Sequence, residues 1–303
     1  MNADGAPRPV IDAHHHVWDL SVRAQPWLDQ DGLGALRRNF TMADLEPEAA
    51  AAGVTATVVV QTVTEPDETP DLLALAAGHH LVAGVIGWVD LASPGVADAI
   101  SALRDRPGGH YLAGIRHPVL VEGDAGWLAR PEVLRGLAAV AEAGLAYDVV
   151  CTPPQLPAAV TAAAALPQLT LVLDHLGNPE GDDPEGGPWA DAVRALAALP
   201  NTVCKLSGVL SEAFLVRGAA AADPGRGALD PLVRRYFDTS LRAFGPHRLM
   251  YGSDWPPCTL TSSYADVLTA ARMLTRGLSA AEQAAVFGAT ARRVYGLGRT
   301  GSI

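Results

Sequence analysis

The sequence predicts an α/β protein folded as a (β/α)8 TIM barrel, and three observations carry that prediction. Eight short apolar runs recur along the 303 residues, and longer helix-like segments separate them. Residues able to do chemistry stand at the C-terminal ends of many different runs. An open doubly wound sheet, the main rival, would gather them at one switch point. No second composition and no linker divides the chain, so residues 1–303 read as one domain.

The strand signals come in order. They are VIDAHHH at 10–16, TATVVVQ at 55–61, LVAGVIGWV at 81–89 and LAGIRH at 112–117, then AYDVVC at 146–151, TLVLDH at 170–175, TVCKLS at 202–207 and RLMYG at 248–252. Most are apolar on both faces, the pattern of a parallel strand covered on both sides. Between them lie Ala-, Leu-, Glu- and Arg-rich stretches, for example 42–52, 131–143, 188–199 and 263–276. Several open on Pro or an N-capping residue, and Gly53, Gly144 and Gly277 are expected to close helices. Two long loops, 17–40 and 208–229, are expected to shape a binding site.

Charge and composition exclude several functions. The chain carries 22 Lys plus Arg against 33 Asp plus Glu, a formal charge of −11. With no basic cluster it is a poor match for nucleic acid or an anionic membrane. No apolar run approaches the roughly 18 residues of a membrane span. MNADGAPRPV at the N-terminus has no apolar signal core. Cys151, Cys204 and Cys258 are too few and too scattered for a disulfide framework or a cysteine-based zinc site, and they fit a reducing cytoplasm.

Chemistry concentrates at the strand ends. In Asp12-Ala13-His14-His15-His16, alternate side chains share a face, so His14 and His16 point together and His15 points away. Such a pair can converge on one metal ion or one oxyanion. Asp254, in Tyr251-Gly252-Ser253-Asp254-Trp255-Pro256, ends the eighth strand. That strand neighbours the first in a closed barrel, which puts a carboxylate beside the imidazoles, where it can ligate a metal or take a proton from water. Gly252 is expected to allow a close approach. His175 follows an apolar run and precedes a turn at the end of the sixth strand. Arg116 and His117 end the fourth, facing opposite ways, and a guanidinium there suits a substrate oxygen or carboxylate. Gln61, Trp88, Asp90, Lys205 and Ser207 stand at further strand ends, and Trp18, Trp27 and Trp255 are candidates for pocket walls. The expected substrate-binding set is Arg116, His117, Trp88, Gln61, Lys205 and Trp27.

The stretches IDAHHHVWDL (11–20), AGVIGWVDL (83–91), GIRHPVL (114–120), LDHLGNP (173–179), KLSGVLSEA (205–213), LMYGSDWPP (249–257) and FGATARRVYGL (287–297) run in order over nearly the whole chain. Together they resemble the amidohydrolase superfamily, and within it the amidohydrolase-2 group that holds sugar lactonases and the 2-pyrone-4,6-dicarboxylate lactonase. The resemblance implies a (β/α)8 fold and hydrolysis of a cyclic ester. It also implies roles for His14, His16, His175 and Asp254. One departure stands out. Binuclear members of the superfamily need a bridging carboxylate, usually a modified lysine, ending strand four or five. Strand five here, Ala146-Tyr147-Asp148-Val149-Val150-Cys151, offers neither lysine nor terminal histidine. The expectation is at most one divalent ion, zinc or manganese, held by His14, His16 and Asp254. Members of the lactonase group that work without metal leave the alternative of none.

The expected protein is a cytoplasmic lactonase-type hydrolase acting on a small molecule, with no nucleic-acid or membrane partner and with self-association into a homo-oligomer left open. Its rivals are an aromatic-acid decarboxylase of the same superfamily and a barrel that only binds a sugar acid.

Overall fold

The β-branched and apolar runs form eight parallel strands: β1 (Val10–His15), β2 (Val54–Val60), β3 (Val82–Gly87), β4 (Leu112–Pro118), β5 (Ala146–Val150), β6 (Leu171–Leu173), β7 (Thr202–Leu206) and β8 (Leu249–Tyr251). They pair in chain order from β1 to β8 in one sheet. In this computed structural model residues 9–181, 183–208 and 230–298 are described. The seam between β8 and β1 closes just past the strands. His16 N donates to Trp255 O at 2.7 Å, and Asp254 N donates to His14 O at 2.8 Å. Gly252 makes this approach feasible, because a Cβ there would stand 2.6 Å from His14 Cβ.

Helices cover the barrel: α1 (Met42–Ala52), α2 (Glu68–Gly78), α3 (Val96–Arg104), α4 (Pro131–Glu142), α5 (Leu156–Ala165), α6 (Gly187–Ala197), α7 (Pro231–Phe244) and α8 (Tyr264–Thr275). Their ends follow local chemistry. Thr41 with Asp44 and Ser263 with Asp266 form capping boxes at α1 and α8. Pro131 opens α4, and Gly53 and Gly144 turn left-handed after α1 and α4. Gly277 departs from that expectation. It does not adopt the left-handed region, because the chain after Thr275 turns through a Leu278 N to Thr275 O bond instead.

Two apolar layers result. The outer one lies between strands and helices and contains Val59, Val85, Ile115, Tyr147, Leu173 and Tyr251. The inner one fills the barrel axis with apolar residues, among them Ala13, Val58, Ala113, Ala146, Val172, Val203 and Met250. A closing segment, α9 (Ala280–Ala284) and α10 (Thr290–Tyr295), contributes Ala291, Tyr295 and Leu297 to this inner layer and so plugs one end.

The other end carries the strand C-termini. The loop 17–40 rises there and is clamped at its base by paired Trp18 and Phe40 backbones, with both N–H to O distances 2.9 Å. Of the second expected loop, 208–229, only Gly208 lies within the described residues.

Candidate active site

The site begins with an irregularity in β1. Asp12 pairs with Thr57 and His15 with Val59, so β1 spends one residue more than β2 over this stretch. Such a bulge re-aims side chains. Ile11 and Ala13 face the inner layer, and His14 and His16 then face the barrel mouth. His15 faces outward and its Nε2 meets Thr57 Oγ1 at 3.0 Å. Asp12 fastens the bulge: its carboxylate accepts from His14 N (3.1 Å), Ser253 N (2.8 Å), Ser253 Oγ (2.6 Å) and Tyr264 Oη (3.0 Å). Burial nevertheless raises this carboxyl to about 6.

His14 Nε2 and His16 Nε2 stand 3.2 Å apart, and Asp254 Oδ1 lies 3.8 Å from each. Three ligands at about 2.0–2.1 Å around a tetrahedral ion would be separated by about 3.3–3.4 Å, close to these spacings. His16 Nδ1 donates to Val60 O at 2.8 Å, which leaves the Nε2 lone pair aimed at the mouth. Burial, reinforced by Lys205 beside His14 and by Arg116 beside His16, holds both imidazoles well below their ordinary value. They are therefore neutral, as metal ligands must be. His14, His16 and Asp254 form a group that could hold an ion.

His175 and Asp254 arrive by an unexpected route. Both adopt left-handed backbone, with φ of 54° and 57°. A non-glycine residue there costs energy and persists only where its surroundings hold it. Ser207 Oγ holds His175, lying 2.9 Å from its Nδ1 and 3.3 Å from its backbone N. Burial pushes the Asp254 carboxyl up, against the pull of His175 and Arg116.

Beneath the histidines lies a buried ionic column that the strand-end motifs did not reveal. Lys205 Nζ stands 2.5 Å from Asp148 Oδ2, 3.1 Å from Asp174 Oδ1 and 3.1 Å from His14 Nδ1. Burial opposes ionisation of Asp174, but the Lys205 ammonium and the His14 ring outweigh it and hold the carboxyl low. Val172 lies in the inner layer and Leu173 in the outer one, so alternation carries Asp174 inward and would send His175 outward. The chain leaves β6 after Leu173 and bends at His175, so both reach His14: Asp174 Oδ1 lies 3.5 Å from its Nδ1, and the His175 ring centroid 4.6 Å from its own. The only sequence signal was an acidic residue directly after an apolar strand.

The expected binding residues divide by depth. Arg116 points inward. Its Nε and Nη2 donate to Gln61 Oε1 at 3.0 and 2.7 Å, Nη2 also reaches Gln61 O, and Nη1 lies 3.4 Å from both Asp174 Oδ2 and His14 Nε2. Gln61 is thereby fully buried as the partner of Arg116. His117 faces the other way, stacked on Trp127 at 4.2 Å, accepting from Trp88 Nε1 at 3.0 Å and meeting Glu122 at 2.8 Å. Trp88 is half-buried beside it. Lys205 has no exposed surface and lies below the histidines, not at the mouth. Trp27 sits on the loop above, edge-on to Trp18, which continues through Phe40 to Trp255 beside Asp254.

No described helix is long and apolar enough to cross a membrane. Residues 11–297 match the amidohydrolase family Amidohydro_2. The chain is 38% identical over 294 residues to an L-fucono-1,5-lactonase of Burkholderia multivorans, covering 95% of this chain and 96% of that one. It is 35% identical over 293 residues to an L-fucono-1,5-lactonase of Burkholderia ambifaria, with the same shares covered. A solved amidohydrolase from Burkholderia multivorans with bound zinc superposes at a TM-score of 0.84, with 36% identity over 95% of this chain and 99% of that one. With a closed parallel barrel, histidines and an aspartate converging at its mouth and a family match from Ile11 to Leu297, the chain belongs to the amidohydrolase family.

Proposed function

We propose that the chain, as one catalytic domain, is a lactonase that hydrolyses the cyclic ester of a sugar-acid lactone. The observation that carries this reading is the meeting of His14, His16 and Asp254 at 3.2–3.8 Å in a buried mouth. The L-fucono-1,5-lactonases it resembles over 95% of its length support the substrate class.

The residues divide the work as follows. Asp254 accepts the proton of the attacking water and returns it to the departing ring oxygen, leaving a hydroxy acid. Its burial raises the carboxyl and makes it a stronger base once ionised. The Arg116 guanidinium, 3.4 Å from His14 Nε2, brings positive charge to the edge where the carbonyl oxygen becomes an oxyanion. His175, fixed through Nδ1 by Ser207, presents its other nitrogen to the same space. Trp88 and Trp27 shape the wall, with His117 behind Trp88 accepting its indole N–H, while Gln61 and Lys205 hold Arg116 and His14 in place. The two neutral imidazoles and the carboxylate suit one divalent ion, zinc or manganese. When bound it would polarise the carbonyl and lower the pKa of water. His14, Asp174 and His175 form a second group that could hold an ion, and the Lys205 ammonium, 3.1 Å from both His14 Nδ1 and Asp174 Oδ1, competes with a cation for those two atoms. The substrate is a small molecule of the cytoplasm.

The test is acid release from a panel of sugar lactones, including L-fucono-1,5-lactone, with elemental analysis of the same sample. The expected result is turnover of at least one lactone and no more than one equivalent of divalent metal per chain. Carbon dioxide release from aromatic acids, or saturable lactone binding without turnover, would replace this reading. Two equivalents of metal would overturn the single-ion assignment.

A further inference from the structure

The segment that plugs the barrel does more than fill it. Tyr295, in the last helix, belongs to the inner apolar layer, yet its phenol donates to both oxygens of Asp148 at 3.0 and 2.9 Å. Asp148 binds Lys205 at 2.5 Å, and Lys205 in turn contacts His14 Nδ1 and Asp174 at 3.1 Å each. All five side chains are buried. Beside His14 Nδ1 stand one donor, Lys205, and one acceptor, Asp174 at 3.5 Å. Whichever tautomer His14 takes, its partner is therefore a member of this column.

We infer that Tyr295 is a positioning residue for the candidate active site, acting on the His14 imidazole from the opposite end of the barrel through Asp148 and Lys205. Asp148 has two oxygens to share between one ammonium and one phenol. Without the phenol, its carboxylate is free to turn about its own side-chain bonds, and Lys205 shifts with it because the ion pair is the shorter contact. A flexible four-carbon stem does not hold an ammonium in place by itself. The Tyr295 ring is held by packing in the inner layer, so its hydroxyl is a fixed point on which the column rests.

The inference rests on His14 serving the proposed hydrolysis, and its test separates the two. Tyr295→Phe removes one oxygen and keeps the ring. The expected result is a fall in kcat of about three- to tenfold with KM within twofold, the effect of loosening a ligand from behind. It should be accompanied by a changed 15N signature of the His14 imidazole in the substrate-free protein. Tyr251→Phe is the control: that phenol is equally buried, has no hydrogen-bond partner among the described residues and lies in the outer layer. It should leave kcat and the imidazole signature unchanged. If Tyr295→Phe does not fold, Asp148→Asn weakens the next link of the column, the ion pair that anchors Lys205, and the same two readouts apply. Identical imidazole signatures in wild type and variant would overturn the inference, as would equal losses in the Tyr251 control. Should no lactone be turned over, the imidazole signature still decides the positioning role.

Discussion

The two ends of the barrel are built from the same strands on opposite principles. At the floor, Val58, Ala113, Ala146, Val172, Val203 and Met250 pack with Tyr295 and Leu297 of the closing segment in an apolar layer, where the Tyr295 phenol meets the Asp148 carboxylate. At the mouth, a few residues further along the same strands, stand His14, His16, Arg116 and Asp254, with Asp174 and Lys205 just beneath them, all buried. The backbone differs in the same way. None of these floor residues has a left-handed backbone, whereas His175 and Asp254 are held in left-handed conformations. The floor therefore supplies stability through close packing, and the mouth carries strain and buried charge that the floor must offset. Reaction geometry and folding energy can be altered separately, except along the one column that joins them.

The sharpest way to break this contrast is Asp254→Asn. It keeps the size and removes the proposed proton acceptor, so kcat should fall by about 10²–10⁴-fold. Asn tolerates left-handed backbone well, and the variant no longer buries a carboxyl that burial already pushes up. Its Tm should be unchanged or higher. Near-normal turnover by folded protein would show that another group activates the water, and a large drop in Tm would show that the mouth contributes stability after all.

The complementary change is Met250→Ala at the floor. Removing a fully buried side chain from the inner layer should cost about 2–5 kcal/mol in denaturant unfolding. Turnover per folded molecule should stay within twofold. A loss of kcat comparable to that of the Asp254 variant would erase the distinction between the two ends.

A smaller effect separates His15 from its neighbours. Burial pushes this outward imidazole down from 6.5 to about 4. Between those values the unfolded chain binds a proton that the native ring refuses, so stability falls as pH drops through the window and is fully present above it. The contribution is up to about 3 kcal/mol. His15→Gln should flatten the acid side of the stability curve relative to wild type while leaving kcat near normal. Superimposable curves, or a turnover loss like that of His14→Ala, would mean that His15 does not face outward from the bulge.

Much of this was legible without coordinates, for identifiable reasons. The strands are announced by apolar runs and the helix starts by capping residues, both local features. That His14 and His16 face together follows from alternation within three residues. Alternation fails as soon as the chain leaves a strand: it does not reveal that the bend at His175 turns that ring back toward His14 beside Asp174, or that a bulge lets Ala13 and His14 face inward in succession. Lys205 looked like a residue at the mouth because a strand-end position says nothing about depth along the barrel axis.

The sequence by itself determined the barrel, its strand order and the seam where the first and last strands bring His14, His16 and Asp254 together. Each depends on periodicity or on neighbourhood along the chain. Only the tertiary structure decided the spacing of those three groups, the left-handed backbone that aims His175 and Asp254, and the column from Tyr295 to His14. Asp148 lies 57 residues from Lys205 and 147 from Tyr295. Nothing local links residues so far apart. They meet because closing eight strands into a barrel leaves one narrow axis, where a buried charge needs a partner and the available partners come from other strands and the final helix.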